Sequence, residues 1–172
     1  MILPISTYGS PILRKKSEPV KEITPDLVEL AHNMLETMYK ANGVGLAAPQ
    51  VGKNIRLVVI DLAREEDEHN PIIIFNPEVE PESGDNPLES AEEGCLSVPD
   101  IWANVSRPSH VHLTYTNEKG ETIDMRNVTG KLARCVQHEL DHLNGILFVD
   151  KISTADRAIN ESKLKKMAKG KK

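Results

Sequence analysis

Thr129-Gly130-Lys131-Leu132-Ala133-Arg134-Cys135-Val136-Gln137-His138-Glu139-Leu140-Asp141-His142-Leu143-Asn144-Gly145 is the stretch on which the rest of the chain turns. Leu132, Val136, Leu140 and Leu143 recur at helical spacing, Thr129 is suited to cap the start, and Asn144-Gly145 supplies a stop. The pattern predicts a helix over about 130 to 144. At a separation of four residues, the imidazoles of His138 and His142 project to one side about 6 Å apart along the axis, close enough to share one ion. With Glu139 beside them this is the H-E-x-x-H arrangement of a hydrolytic metal centre. The bland alternative, two histidines and a chance glutamate on a solvated face, accounts less well for the helical context.

A catalytic ion needs a third protein ligand. Cys135 lies on the same helix face as His138, but about 10 Å along the axis from His142, too far for metal–ligand bonds of roughly 2 to 2.3 Å. It is expected to be a buried thiol near the site. Cys95, in Glu92-Glu93-Gly94-Cys95-Leu96-Ser97-Val98-Pro99, can approach the helix from outside, and Gly94 lets backbone come close to a metal or a substrate. Alone, such a cysteine reads as structural; beside H-E-x-x-H it reads as the third ligand. Two imidazoles and a thiolate leave a coordination position for water, whose pKa the ion lowers, and Glu139 can take the proton and deliver it to a leaving group. Metal-assisted hydrolysis is the reaction class.

The 172 residues, 39% hydrophobic and 27% charged, fit one soluble domain. No apolar run is long enough to span a bilayer, and Met1-Ile2-Leu3-Pro4-Ile5 lacks the features of a signal peptide, so a cytoplasmic protein with no membrane partner is expected. Net charge is −5, but residues 161 to 172 hold six lysines and one acid, which makes a basic tail on an acidic body. The tail reads first as a frayed, solvated helix end, and second as a contact for nucleic acid or a ribonucleoprotein surface.

Thr24-Pro25-Asp26 opens a helix over about 25 to 40, with Leu27, Leu30, Ala31, Met34, Leu35 and Met38 at helical spacing and Asn42-Gly43 as its stop. Ile55 to Ile60 and Ile72 to Phe75 read as strands, separated by a charged loop from Arg64 to Asn70, and Glu80 to Asn86 reads as a polar connection. Residues 110 to 116 alternate strictly and turn at Asn117 to Gly120 into Ile123 and Met125, a hairpin. A third helix is expected over 154 to 169. The class is α+β: antiparallel or mixed sheets around a central helix carrying H-E-x-x-H, bracketed by N-terminal and C-terminal helices. His110 and His112 read as exposed strand residues, and His32 and His69 stand without company.

Three separated segments, Gly43-Val44-Gly45-Leu46-Ala47-Ala48-Pro49-Gln50, Glu93-Gly94-Cys95-Leu96-Ser97 and Gln137-His138-Glu139-Leu140-Asp141-His142, together resemble the peptide deformylases, in that family's order. With Gly9-Ser10-Pro11-Ile12-Leu13-Arg14 the resemblance covers about residues 1 to 150 and implies a single catalytic domain over 1–172, with 161–172 as its tail. It implies removal of the formyl group from the N-terminal formyl-methionine of nascent chains, releasing formate. Cys95, His138 and His142 would bind one divalent ion, with Glu139 as general base and acid. The Gln50 side chain and the Leu96 backbone N–H would stabilise the oxyanion. Backbone around Gly45 and Gly94 would pair with an extended peptide, and Val44 with the 134 to 138 helix face, Cys135 at its wall, would line a pocket for the methionine. One subgroup of the family has arginine where Trp102 stands and an apolar residue where Arg134 stands, so the pocket rim is not carried over.

A Cys and two His accept Fe(II), Zn(II), Ni(II) or Co(II), and relatives make Fe(II) the first expectation. Two rivals remain: a zincin-type metallopeptidase, although no histidine follows His142, and a ribosome-associated metal-binding module without catalysis.

Overall fold

In the computed structural model, which describes residues 1–63 and 65–170, helix α1 runs Pro25–Lys40. Thr24 Oγ1 accepts from the Leu27 N–H at 3.3 Å, and Asn42 in left-handed geometry ends the turn that follows. The buried face of α1, with Met34 and Met38, lies on strands β1 (Gly45–Ala47) and β2 (Leu57–Ile60). All four residues of β2 are buried because both of its faces are covered. Leu57 and Val59 pack with α1, while Val58 and Ile60 pack with helix α2 (Gly130–Leu143). An uninterrupted apolar run is what such a doubly covered strand requires.

Strands β3 (Ile72–Pro81), β6 (Val111–Thr116) and β7 (Thr122–Val128) complete an antiparallel sheet of order β1-β2-β3-β6-β7. β3 runs farther than the Ile72 to Phe75 expected, and the Glu80 to Asn86 connection correspondingly starts later. A register shift between Phe75 and Glu78, where Asn76 has φ 51°, separates its apolar half from a half in which Glu78 and Glu80 are exposed. The Asn76 side chain pins the incoming chain, accepting from Val20 N at 2.8 Å and donating to Val20 O at 2.7 Å.

β4 (Leu88–Cys95) and β5 (Val98–Pro108) form a separate two-stranded antiparallel sheet, which sequence patterning registers only as strand-like regions flanking Cys95. Its inner face meets Leu13, Leu147, Phe148 and Leu164. Helix α3 spans Thr154–Lys169, capped by Ser153 Oγ on Asp156 N at 3.1 Å. Leu164 is 2% exposed, so this helix is docked rather than frayed through Lys169. No helix among the described residues is long and apolar enough to cross a membrane. Arg64 of the charged loop and Lys171 and Lys172 of the tail lie outside the described residues.

Three smaller expectations are corrected. Thr129 makes no side-chain cap; Gly130, at φ 63°, turns the chain into α2 instead. His69 has company, its ring stacked on Tyr39 at a centroid distance of 3.9 Å. His112 is half-buried and paired with Asp124 rather than exposed.

Candidate metal centre and active site

α2 carries two histidines because its apolar stripe packs Ala133, Val136 and Leu143 against the large sheet, which leaves His138 and His142 facing the small one. The imidazoles lie 5.1 Å apart between centroids and at 65° to each other. Cys95 ends β4 opposite them, its Sγ 3.3 Å from His142 Nε2. One ligand atom from each of Cys95, His138 and His142 lies within 4.8 Å of the others, the only such group among the described residues. Tetrahedral bonds of about 2.0 to 2.3 Å put ligand atoms roughly 3.3 to 3.8 Å apart, so the donor set fits one ion after small adjustments.

Behind Cys95, His138 and His142 stands a charged network. Glu93 Oε1 accepts from His138 Nδ1 at 2.9 Å, which leaves Nε2 of that ring for the ion. Arg107 grips the same carboxylate with Nε at 2.7 Å and Nη2 at 2.9 Å, and reaches Asp141 on α2 with Nη1 at 2.9 Å. Arg134 adds a third grip on Glu93 at 2.6 Å and donates to the carbonyls of Val105 and Glu89. Burial alone would push the Glu93 carboxyl up, but hydrogen bonds from Arg107 and His138 outweigh it and hold the group far below the usual carboxylate range. Burial lowers the pKa of His142 and favours the neutral ring that a metal requires. Neither Glu93 nor Arg107 was assigned a role from sequence. A buried Arg107, fourteen residues from Glu93, becomes a signal only once β4 and β5 are known to pair.

Glu139 is 4% exposed, and burial pushes its carboxyl up to about 7. Oε1 is buried without a hydrogen-bond partner, and Oε2 would be 2.5 Å from a Cβ at position 45. Gly45 is therefore required by close approach. The same absent methyl would lie 2.9 Å from Cys135 Sγ, so Cys135 does stand beside the site, though partly exposed rather than fully buried. Val44 precedes β1, half-buried, with its carbonyl accepting from Asp61 N at 2.9 Å.

Gln50, 1% exposed, sits in a 3-10 turn, Ala48–Val51, directly after β1. Its Oε1 accepts from Ala47 N at 2.9 Å, which turns Nε2 toward Ser97 Oγ at 3.0 Å and Cys95 Sγ at 3.5 Å. Ser97 N also points at Cys95 Sγ, at 3.4 Å. Leu96 lies between them, its side chain packed against the α1 core. Gly94 precedes Cys95 on β4, with the ring of Trp102 covering it. Gly45, Gln50, Cys95, Cys135, His138, Glu139 and His142 are thus brought together along one face of α2, with Val44, Gly94 and Leu96 adjoining them in the chain.

A family model described as polypeptide deformylase matches residues 2–158. The peptide deformylase of Mesorhizobium japonicum is 45% identical over 176 residues, covering 99% of this chain and 95% of its own. Among solved structures, a peptide deformylase from Synechococcus elongatus in complex with actinonin superposes with a TM-score of 0.87 at 43% identity, covering 95% of this chain and 87% of that one. The enzyme from Thermus thermophilus superposes with a TM-score of 0.88 at 36% identity, covering 99% of each chain.

Proposed function

The chain belongs to the polypeptide deformylase family and is an enzyme of that kind; from that premise we propose how its residues release formate from the N-terminal formyl-methionine of nascent chains. The observation that carries the reading is the convergence of Cys95, His138 and His142 beside the buried carboxyl of Glu139, whose pKa burial raises. The three ligands would hold one divalent ion, Fe(II) first, with Zn(II), Ni(II) or Co(II) also suited to the donor set. When bound, such an ion polarises the formyl carbonyl and makes water a stronger acid.

Glu139 takes the proton of the attacking water and passes it to the methionine nitrogen as the carbon–nitrogen bond breaks. The Gln50 amide, held by Ala47 N and aimed past Cys95, donates to the developing oxyanion, joined by the Leu96 N–H. β1 and β4 are each paired on one side only among the described strands, so both offer an open edge. An extended peptide lying between them would bond to backbone at Gly45 and Gly94 without regard to sequence. Its methionine side chain would enter between Val44 and Cys135.

A zincin-type peptidase would use the same helix, and a metal-binding module on the ribosome would need no Glu139. Formyl-Met-Ala-Ser and an internal-peptide substrate, assayed side by side with anaerobic metal analysis, separate the three. The expected result is formate from the first substrate, no cleavage of the second, and one metal per chain. Cleavage of the second alone would overturn the assignment in favour of a peptidase, and inactivity with every metal would favour the binding module.

A further inference from the structure

The indole of Trp102, the only tryptophan in the chain, is 65% exposed although it stands next to the centre. Glu93 pairs with Ala103 across the β4–β5 hairpin and both turn inward, so Gly94 and Trp102 face outward together. The benzo ring lies on Gly94 so closely that a Cβ there would collide with it. The backbone leading into it is anchored: Ile101 is buried, and Lys163 of α3 donates to the Asp100 carbonyl at 3.2 Å. A large apolar ring is thus pre-positioned beside the residue that precedes Cys95, with most of its surface left for something else to cover.

We propose that Trp102 is a specificity-determining residue that receives the side chain of the substrate's second residue and favours an apolar one. The inference rests on the reading above, in which the peptide lies extended along the open edge of β4. Successive side chains of an extended chain point to opposite faces. With the methionine directed inward toward Cys135, the second side chain emerges on the solvent face. There the Trp102 ring reaches over Gly94, the one position on β4 with no side chain to fence it off. Any larger residue at 94 would push the ring away from the substrate. Covering about 50 Å² of apolar surface on such a preformed platform corresponds to a preference of about five- to tenfold.

The test uses the metal-loaded full chain and two substrates, formyl-Met-Leu-Ser and formyl-Met-Ser-Ser. The leucine peptide is expected to have about a fivefold higher kcat/KM, mainly through KM. Trp102→Ala should bring the ratio near one, and Trp102→Phe should keep most of it. A ratio taken on one preparation does not depend on the active fraction, so a partly misfolded variant still reports. Because no other tryptophan contributes, the emission of the parent enzyme should shift to shorter wavelength on adding Met-Leu-Ser and not on adding Met-Ser-Ser. Equal kcat/KM for the two substrates, a ratio unchanged in Trp102→Ala, or identical emission with both peptides overturns the inference. Failure of the parent to deformylate either peptide overturns instead the reading on which it rests.

Discussion

In the proposed mechanism Glu139 carries both proton transfers, and its environment sets how it responds to pH. Its folded-state pKa is raised from 4.5 to about 7 by burial, and only the ionised form can accept a proton. A cation held beside it favours ionisation, so the acid limb of kcat/KM is expected at or below about pH 7; a limb above 8 would contradict the base role. Glu139→Gln should lower kcat by about 10² to 10⁴ while metal content per chain stays at one. The metal-free protein adds an independent check. A raised folded-state pKa means that the contribution of this group is fully present below 4.5 and is lost as pH rises through about 7. Metal-free Glu139→Gln should therefore melt higher than the metal-free parent above pH 7, with the gap closing toward pH 4.5. Gly45 acts through the same carboxylate. Gly45→Ala would drive a methyl into Glu139 Oε2 and Cys135 Sγ, and a fall in kcat of at least about tenfold with little change in global melting is expected; unaltered kinetics would mean that the close approach is not functional.

α2 and the β4–β5 hairpin are held to each other by charge more than by apolar contact, with Glu93 receiving Arg107, Arg134 and His138. Replacing Glu93 with Gln should weaken metal affinity about 10- to 100-fold, because the His138 ring loses the carboxylate that fixes its orientation. The pH dependence has the opposite sign to that of Glu139. Since the folded-state pKa of Glu93 is depressed, its stabilisation is present above about pH 4.5 and disappears as acid protonates it, so parent and Glu93→Gln should converge in stability at low pH. Melting curves between pH 3 and 7 measure this, and a gap that widens in acid would be inconsistent with the network. The same arrangement explains which elements could be read from sequence. α1 and α2 announce themselves by apolar periodicity, and β2 by an apolar run rich in β-branched residues, whereas α3 buries only Leu164 fully and shows little periodicity. β4 does not, because its inward positions include Glu93, which faces guanidinium groups rather than an apolar core. The Cys95, His138 and His142 cluster and the neighbouring Glu139 are legible, since Cys, His and Glu carry recognisable chemistry at recognisable spacing. Which of Glu92 and Glu93 turns inward, and that Arg107 waits for it, is decided by strand pairing and left no local trace.

At the scale of the whole molecule, charge is segregated. The net charge is −5 although the last twelve residues are basic, and Lys163, Lys165, Lys166 and Lys169 are exposed on α3. The helix is not a loose appendage: Leu164 lies beneath it among Val98, Ile101 and Phe148, so deleting the tail removes packing together with charge. Leu164→Ala alone should cost about 2 to 4 kcal/mol, measurable by denaturant titration, which makes truncation a poor probe of any contact made by the lysines. Charge reversal separates the two effects. If α3 meets the phosphates of ribosomal RNA, Lys165→Glu, Lys166→Glu and Lys169→Glu together should reduce co-sedimentation with ribosomes at low salt and flatten the dependence of binding on salt concentration, each lost contact lowering the slope of log K against log salt by about 0.7 to 0.9. Turnover of free formyl-Met-Ala-Ser should not change, because none of the proposed ligands, base or oxyanion donors belongs to α3. Parent and triple variant that sediment alike across the salt range would leave the basic helix with a packing role only.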